Sequence, residues 1–202
     1  MKQSLLCLVF VLGCGATAGS VALTDAWPAT PPDYGDTTAT WTRSATLNTG
    51  YQEALELAAT FKSPEWRAAY AARDAKNRGL TGAAFDQRMA QAQADAAGPY
   101  EFELLVTTWD RRENDLDRGK RSVWRVRVLD EQGMEVEPLE IVRDKRSEGV
   151  LKSEFPAFGK FSIAYIARFP REKALLGPDV KQLRLHMSSS RGHVQLVWKS
   201  GN

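Results

Sequence analysis

Beyond residue 14 this sequence has no cysteine, because its two thiols are Cys7 and Cys14. No intramolecular disulfide can brace the folded part, and no thiol nucleophile is on offer there. At 202 residues that is no handicap, since a core of this size stands without staples. Histidine is almost as scarce: His186 and His193 are the whole supply, which leaves little for acid–base work near neutral pH. Also missing are a G-x-S-x-G elbow, an S-x-x-K pair, an H-E-x-x-H helix and a glycine-rich phosphate loop with its lysine. No apolar run reaches the ~20 residues of a membrane-spanning helix. A strong charge of one sign is absent as well. The formal net charge of +2 is too small to argue for a nucleic-acid partner. What remains is an ordinary globular composition, 43% hydrophobic and 26% charged, which excludes wholesale disorder. No cofactor is expected.

The small net charge hides an asymmetry. Residues 15–60 carry Arg43 against Asp25, Asp33, Asp36, Glu53 and Glu56, whereas the stretches on either side of residue 100 are mildly basic. The first fourteen residues are different again. Lys2 supplies a positive start, and Leu5 to Leu12 form an apolar run about half as long as a bilayer span, which is the design of an export signal. It ends in Val11-Leu12-Gly13-Cys14. This tetrapeptide resembles the lipobox of bacterial lipoproteins: an aliphatic residue, then a small residue directly ahead of a cysteine. The resemblance covers residues 1–15 only.

That resemblance implies a thioether from the Cys14 sulfur to diacylglycerol, cleavage before Cys14, and acylation of the new amine. Two or three chains, at ~0.8 kcal/mol per buried methylene, make such an anchor effectively permanent. The lipoprotein sorting rule keeps proteins with Asp after the cysteine in the inner membrane. Gly15 stands there instead, which implies the outer membrane. The alternative is a plain secretory signal cut near Ala16 to Ala18, with Cys14 incidental.

Four segments follow from the patterning. Residues 1–13 are the signal. Residues 14–42 are the acylated cysteine and a Thr-, Ala-, Pro- and Asp-rich tether, with no apolar periodicity and a flexible span of about 30 Å. Residues 43–98 read as helical. Leu47, Tyr51, Leu55, Ala58 and Phe61 recur at spacings of three and four, Ser63-Pro64-Glu65 makes a helix start, and Gly79 and Gly98-Pro99 make stops. Helices are expected over 44–61, 64–78 and 82–97, the last capped by Thr81. From Tyr100 the period drops to two. Tyr100, Phe102, Leu104 and Val106 alternate with polar residues, as do Trp124, Val126 and Val128, then Phe161 to Phe169, Leu183 to Met187 and Val194 to Trp198. The fold class expected is α+β: about three N-terminal helices, then an antiparallel β-sandwich over 99–202.

Candidate sites are few. Arg125 and Arg127 share the outward face of one strand and Arg184 that of another. If these strands are neighbours, they form a basic stripe suited to phosphate or carboxylate groups. The last hairpin places His186 and His193 diagonally on that face, without a carboxylate to complete a metal set. Asp110, Asn114, Asp115 and Asp117 offer calcium-type oxygens, but five Arg or Lys residues share the loop and the spacing departs from D-x-D-x-D-G. No metal is expected. Phe155 and Phe158 either present an aromatic surface or plug an end of the fold.

These observations make the expected function that of a lipid-anchored, non-enzymatic envelope lipoprotein of the outer membrane. It would bind an envelope protein or an anionic polymer, and it fits a motility, secretion or adhesion apparatus. The alternative is an envelope hydrolase that cleaves cell-wall or surface polysaccharide through paired carboxylates.

Overall fold

The computed structural model describes residues 19–171 and 174–201. Cys14 and the signal segment lie outside the described residues. In chain order the elements are α1 (Tyr34–Trp41), β1 (Thr42–Thr49), β2 (Gln52–Phe61), α2 (Pro64–Asn77), α3 (Ala83–Ala96) and β3 (Tyr100–Thr108). After two short 3-10 stretches come β4 (Arg125–Leu129), β5 (Glu135–Val136), β6 (Glu140–Arg143), α4 (Glu148–Glu154), β7 (Ile163–Phe169), β8 (Gln182–Ser189) and β9 (Gly192–Lys199). One sheet has the order β1-β2-β3-β7-β6 and the other β5-β4-β8-β9, with every strand pair antiparallel.

The chain is α+β, but the expected order of three N-terminal helices ahead of a sandwich is wrong. Helices are interspersed among strands, and the first sheet begins at Thr42. The helix expected over 44–61 is the β1–β2 hairpin. Thr49 pairs with Gln52 across a two-residue turn in which Gly50 has φ +63°, the left-handed conformation a glycine takes at the first turn position. Leu55, Leu57, Ala59 and Phe61 are all buried on one face of β2, a period of two that coexisted with the three-and-four spacing. Alanines fit both patterns, so spacing alone could not choose. The glycine turn and the threonines of β1 decide for strand.

Where a tether was expected, the chain is tied to the body at particular residues from Gly19 onward. The Val21 amide donates to the Lys199 carbonyl at 2.9 Å, Val21 bridges Ser200 in parallel, and Leu23 is buried. Asp33 caps α1 by accepting from the Asp36 amide at 3.0 Å. Arg43 locks this region. Its guanidinium donates to the carbonyls of Gly19 (2.7 Å), Thr40 (2.7 Å), Thr42 (2.9 Å) and Val197 (3.0 Å) and lies over the Trp198 ring. Patterning missed this because few but large side chains, Tyr34 and Trp41 above all, supply the burial.

α2 starts as expected, with Ser63 accepting from the Trp66 amide at 3.1 Å and Pro64 in the first turn. α3 starts at Gly82 without a side-chain cap, so Thr81 does not serve. α4 was not expected; Ser147 caps it through the Val150 amide.

The inner faces of the two sheets meet in one core. Phe102 of β3 packs on Trp198 of β9 with ring centroids 5.6 Å apart, and Trp198 Nε1 donates to the Trp41 carbonyl at 2.8 Å. Each large side chain buried there is worth about 1.5–3 kcal/mol. On the other face of β3 stand Glu101 and Glu103, beneath α2 and α3.

Candidate functional site

The ionisable residues converge in a cavity of about 180 Å³ between α2, α3 and the outer face of the five-stranded sheet. β3 supplies Glu101 and Glu103 from alternate positions, so both point the same way. The end of β2 delivers Lys62, whose Nζ lies 2.6 Å from Glu101 Oε1 and 3.0 Å from Glu103 Oε2. β7 sends Arg168 to Glu101 at 2.9 Å. From the turn between β6 and α4 comes Arg146, which holds Asp144 at 2.6 Å, pairs with Glu154, and stands 3.7 Å from Glu103. Tyr70 donates to Glu154 at 3.1 Å. An aromatic wall closes one side. Trp66 is stacked between Tyr70 and Phe155, with centroids 5.2 and 5.9 Å away. Phe155 thus serves as a buried plug, not a partner surface.

Two carboxyls on one ammonium behave in opposite ways. Burial favours the neutral form of both. For Glu101, the cations of Lys62, Arg67 and Arg168 outweigh burial and hold it below the ordinary glutamate range. Glu103 is 0% exposed, and burial, with the Asp144 charge in support, pushes it up to about 7 against the pull of Lys62. Neither Glu103 oxygen makes a well-directed hydrogen bond as an acceptor. A proton resolves this, since the neutral carboxyl can donate to the Asp144 carboxylate. Burial lowers the Arg67 guanidinium and raises the Tyr70 hydroxyl. Arg146 is raised: burial opposes its charge, but Asp144, Glu154 and Glu103 prevail. The cluster can therefore hold or release one proton near neutrality, at a carboxyl that solvent does not reach.

Sequence reasoning had Glu101 and Glu103 only as the polar residues that alternate with Tyr100, Phe102 and Leu104, and assigned them no site. The available signal was the mixed company on that side of the strand, where Leu105 follows the two glutamates at the same parity.

The basic residues expected to form a stripe do share a face. β4 and β8 are neighbours, with Arg127 opposite His186 and Leu129 opposite Arg184. Their charges are not equally free. Arg127 is held by Glu135 at 2.9 Å and Glu137 at 2.8 Å. Arg184 reaches the Asp130 carbonyl at 3.3 Å, and its buried Nε has no acceptor. Arg125 is exposed and makes no ion pair among the described residues. The last hairpin has the register His186 to Gln195 and Ser188 to His193, and the two imidazoles sit 5.1 Å apart. Burial, then the neighbouring His193, lowers His186.

The side-chain oxygens of Asp110, Asn114 and Asp115 in the loop after β3 are engaged, whereas Asp117 stands 3.9 Å from Arg143. Arg112 grips Asp110 at 2.7 Å, Ser122 and the Val123 amide donate to Asp115 at 2.9 and 3.1 Å, and Tyr165 donates to Asn114 Oδ1 at 2.9 Å. Among the described residues no cluster of three or more His, Cys, Asp or Glu is arranged to hold a metal ion.

No protein-family model matches the chain, and neither a curated protein nor a solved structure resembles it.

Proposed function

We propose that this chain is a lipid-anchored lipoprotein of the outer membrane, acting as a non-enzymatic binding or assembly component of the cell envelope. The observation that carries the reading is Val11-Leu12-Gly13-Cys14 behind an apolar export segment, with Gly15 after it. Packing of the described chain sharpens it. Gly19 is clamped by Arg43 only five residues after Cys14. At about 3.4 Å per residue the body sits no more than roughly 17 Å of chain from its anchor. The domain works close to the membrane surface, presenting Arg125 and its neighbours to an envelope protein or an anionic polymer. A motility, secretion or adhesion apparatus would use such a part.

The non-enzymatic half of the reading draws on Glu103. It is the carboxyl pushed furthest toward a general acid, yet it is sealed beneath Lys62 and Arg146. A catalytic acid must reach the atom it protonates. The hydrolytic reading has one observation in its favour: Glu101 and Glu103 meet at one ammonium with opposite proton affinities, a pattern that acid–base pairs share.

Metabolic labelling with a clickable fatty acid tests the anchor. Label is expected on the wild type and absent from Cys14→Ser. A native mature chain that starts downstream of Cys14 overturns the reading. Cleavage of cell-wall or surface polysaccharide by the purified protein, abolished in Glu103→Gln, would replace it with the hydrolase.

A further inference from the structure

The cavity of about 180 Å³ under α2 and α3 is open to solvent. Asp95 in its lining is exposed, and the side chains of Arg67, Arg88 and Arg146 are 15%, 20% and 34% exposed. A cavity of roughly 150 Å³ admits benzene, so this one takes a ligand of about six to eight non-hydrogen atoms.

Most of the charge in the lining is spent. Lys62 serves Glu101 and Glu103, Asp74 holds Arg88 at 2.7 Å, and Asp144 and Glu154 hold Arg146. Two groups are left over. The nearest carboxylate oxygen to the Arg67 guanidinium among the described residues is Glu101 Oε1, at 3.9 Å, which is beyond hydrogen-bond reach. Asp95 accepts from Gln91 through Oδ1 at 2.9 Å and has no ion pair among the described residues. It stands in the last turn of α3, where the helix dipole favours positive charge and the chain supplies none. Asp95 is near enough for its charge to favour the Arg67 guanidinium, yet the two do not touch. One cavity thus presents an open cation and an open anion with a gap between them.

We propose that this cavity binds a small free α-amino acid. The carboxylate takes the planar fork of Arg67, the ammonium meets Asp95 and the negative end of α3, and a short apolar side chain lies toward Tyr70 and Ile166. All four of these residues are reached by solvent in the structure. A simple carboxylate would leave Asp95 unmatched, and a simple amine would leave Arg67 so. The site draws neither on acylation at Cys14 nor on the Arg125 face, and it stands or falls separately from them.

The test titrates the full chain, in a neutral maltoside detergent, with L-valine. Nitrogen-edited NMR follows the arginine Nε–H resonances, that of Arg67 being identified with Arg67→Lys. A saturable, one-site shift of the Arg67 resonance is expected. Isovalerate and isobutylamine each lack one charged group of valine and should bind at least tenfold more weakly. Asp95→Asn, at an exposed position, should weaken valine about tenfold and leave isovalerate unchanged. Ala92→Leu fills the cavity from α3 with a good helix former, and should abolish binding while the melting temperature holds or rises. An Arg67 resonance that valine does not move, or undiminished binding in Ala92→Leu, overturns the site. Isovalerate binding as tightly as valine, or an unchanged valine affinity in Asp95→Asn, overturns the amino-acid ligand.

Discussion

Lys62 Nζ lies 3.0 Å from Glu103 Oε2, on a side chain that solvent does not reach, and that single ammonium also holds Glu101 at 2.6 Å. One cation serves two acids, and burial decides which of them keeps its proton. Three expectations follow from this arrangement and from others in the fold, and a fourth from the residue after Cys14.

Glu103 makes stability depend on pH. Its carboxyl is raised from 4.5 to about 7 in the folded chain, so between those values the folded state holds a proton that the unfolded state has released. Stability therefore falls as pH rises through this window, by roughly 2–3 kcal/mol from pH 5 to pH 8 at ~1.4 kcal/mol per unit. Glu103→Gln keeps the shape without the titration. Scanning calorimetry should show the variant melting above the wild type at pH 8 and level with it or slightly below at pH 5. A parallel pH profile for the two proteins would remove Glu103 as the cause.

Arg43 is 8% exposed and spends its donors on four carbonyls without a carboxylate partner. Arg43→Met should cost about 2–4 kcal/mol in urea unfolding, since charged hydrogen bonds are worth ~1.5–3 kcal/mol each and the loss is partly offset by no longer burying a cation. Hydrogen exchange gives a local readout. The Val21 amide should exchange faster in the variant, while the β3 amides keep their protection relative to global stability.

Gly50 separates backbone strain from crowding. A Cβ there would touch nothing within 4 Å, but φ is +63°. Gly50→Val should destabilise the fold by ~1–2 kcal/mol, and Gly50→Asn by clearly less, because asparagine tolerates the left-handed region. Thermal melts of the pair check this. Equal losses would mean that the turn does not hold this conformation.

The anchor has a sorting test of its own. Cell fractionation should find the acylated protein in the outer membrane, and Gly15→Asp should hold it in the inner membrane. An unchanged distribution would separate sorting from the residue after Cys14.

Legibility in the sequence follows the size and parity of the side chains. The strands from Tyr100 on were readable because large apolar residues alternate there, and α2 because Ser63-Pro64 combines two independent helix-start preferences. The β1–β2 hairpin was not, since Ala54, Ala58 and Ala59 satisfy either period and Gly50, the turn signal, was not weighed against the spacing. α1 and the packed segment before it were hidden by their polar composition; their burial comes from contacts more than a hundred residues away, such as Tyr34 donating to the Glu154 carbonyl at 2.7 Å. At the sites, parity correctly placed Arg125, Arg127 and Arg184 on one side of their strands. Parity is silent about partners, so it missed Glu135 and Glu137 on Arg127, which arrive through β5 and the residue beyond it. The acid cluster around Glu103 needs Lys62 from the end of β2 and Asp144 and Arg146 from the turn before α4, and no local pattern announces that meeting.

The union of Val21 with β9 bears on mechanical load. Because Val21 bridges Ser200 in parallel and the segment is also pinned by Arg43 at Gly19, tension applied along the chain from its N-terminal side, as the proposed anchor would apply it, acts on the Val21–Lys199 and Arg43 bonds in shear, and they must yield together instead of peeling apart in turn. A protein moored at that end can be tugged without first unravelling from the point of attachment.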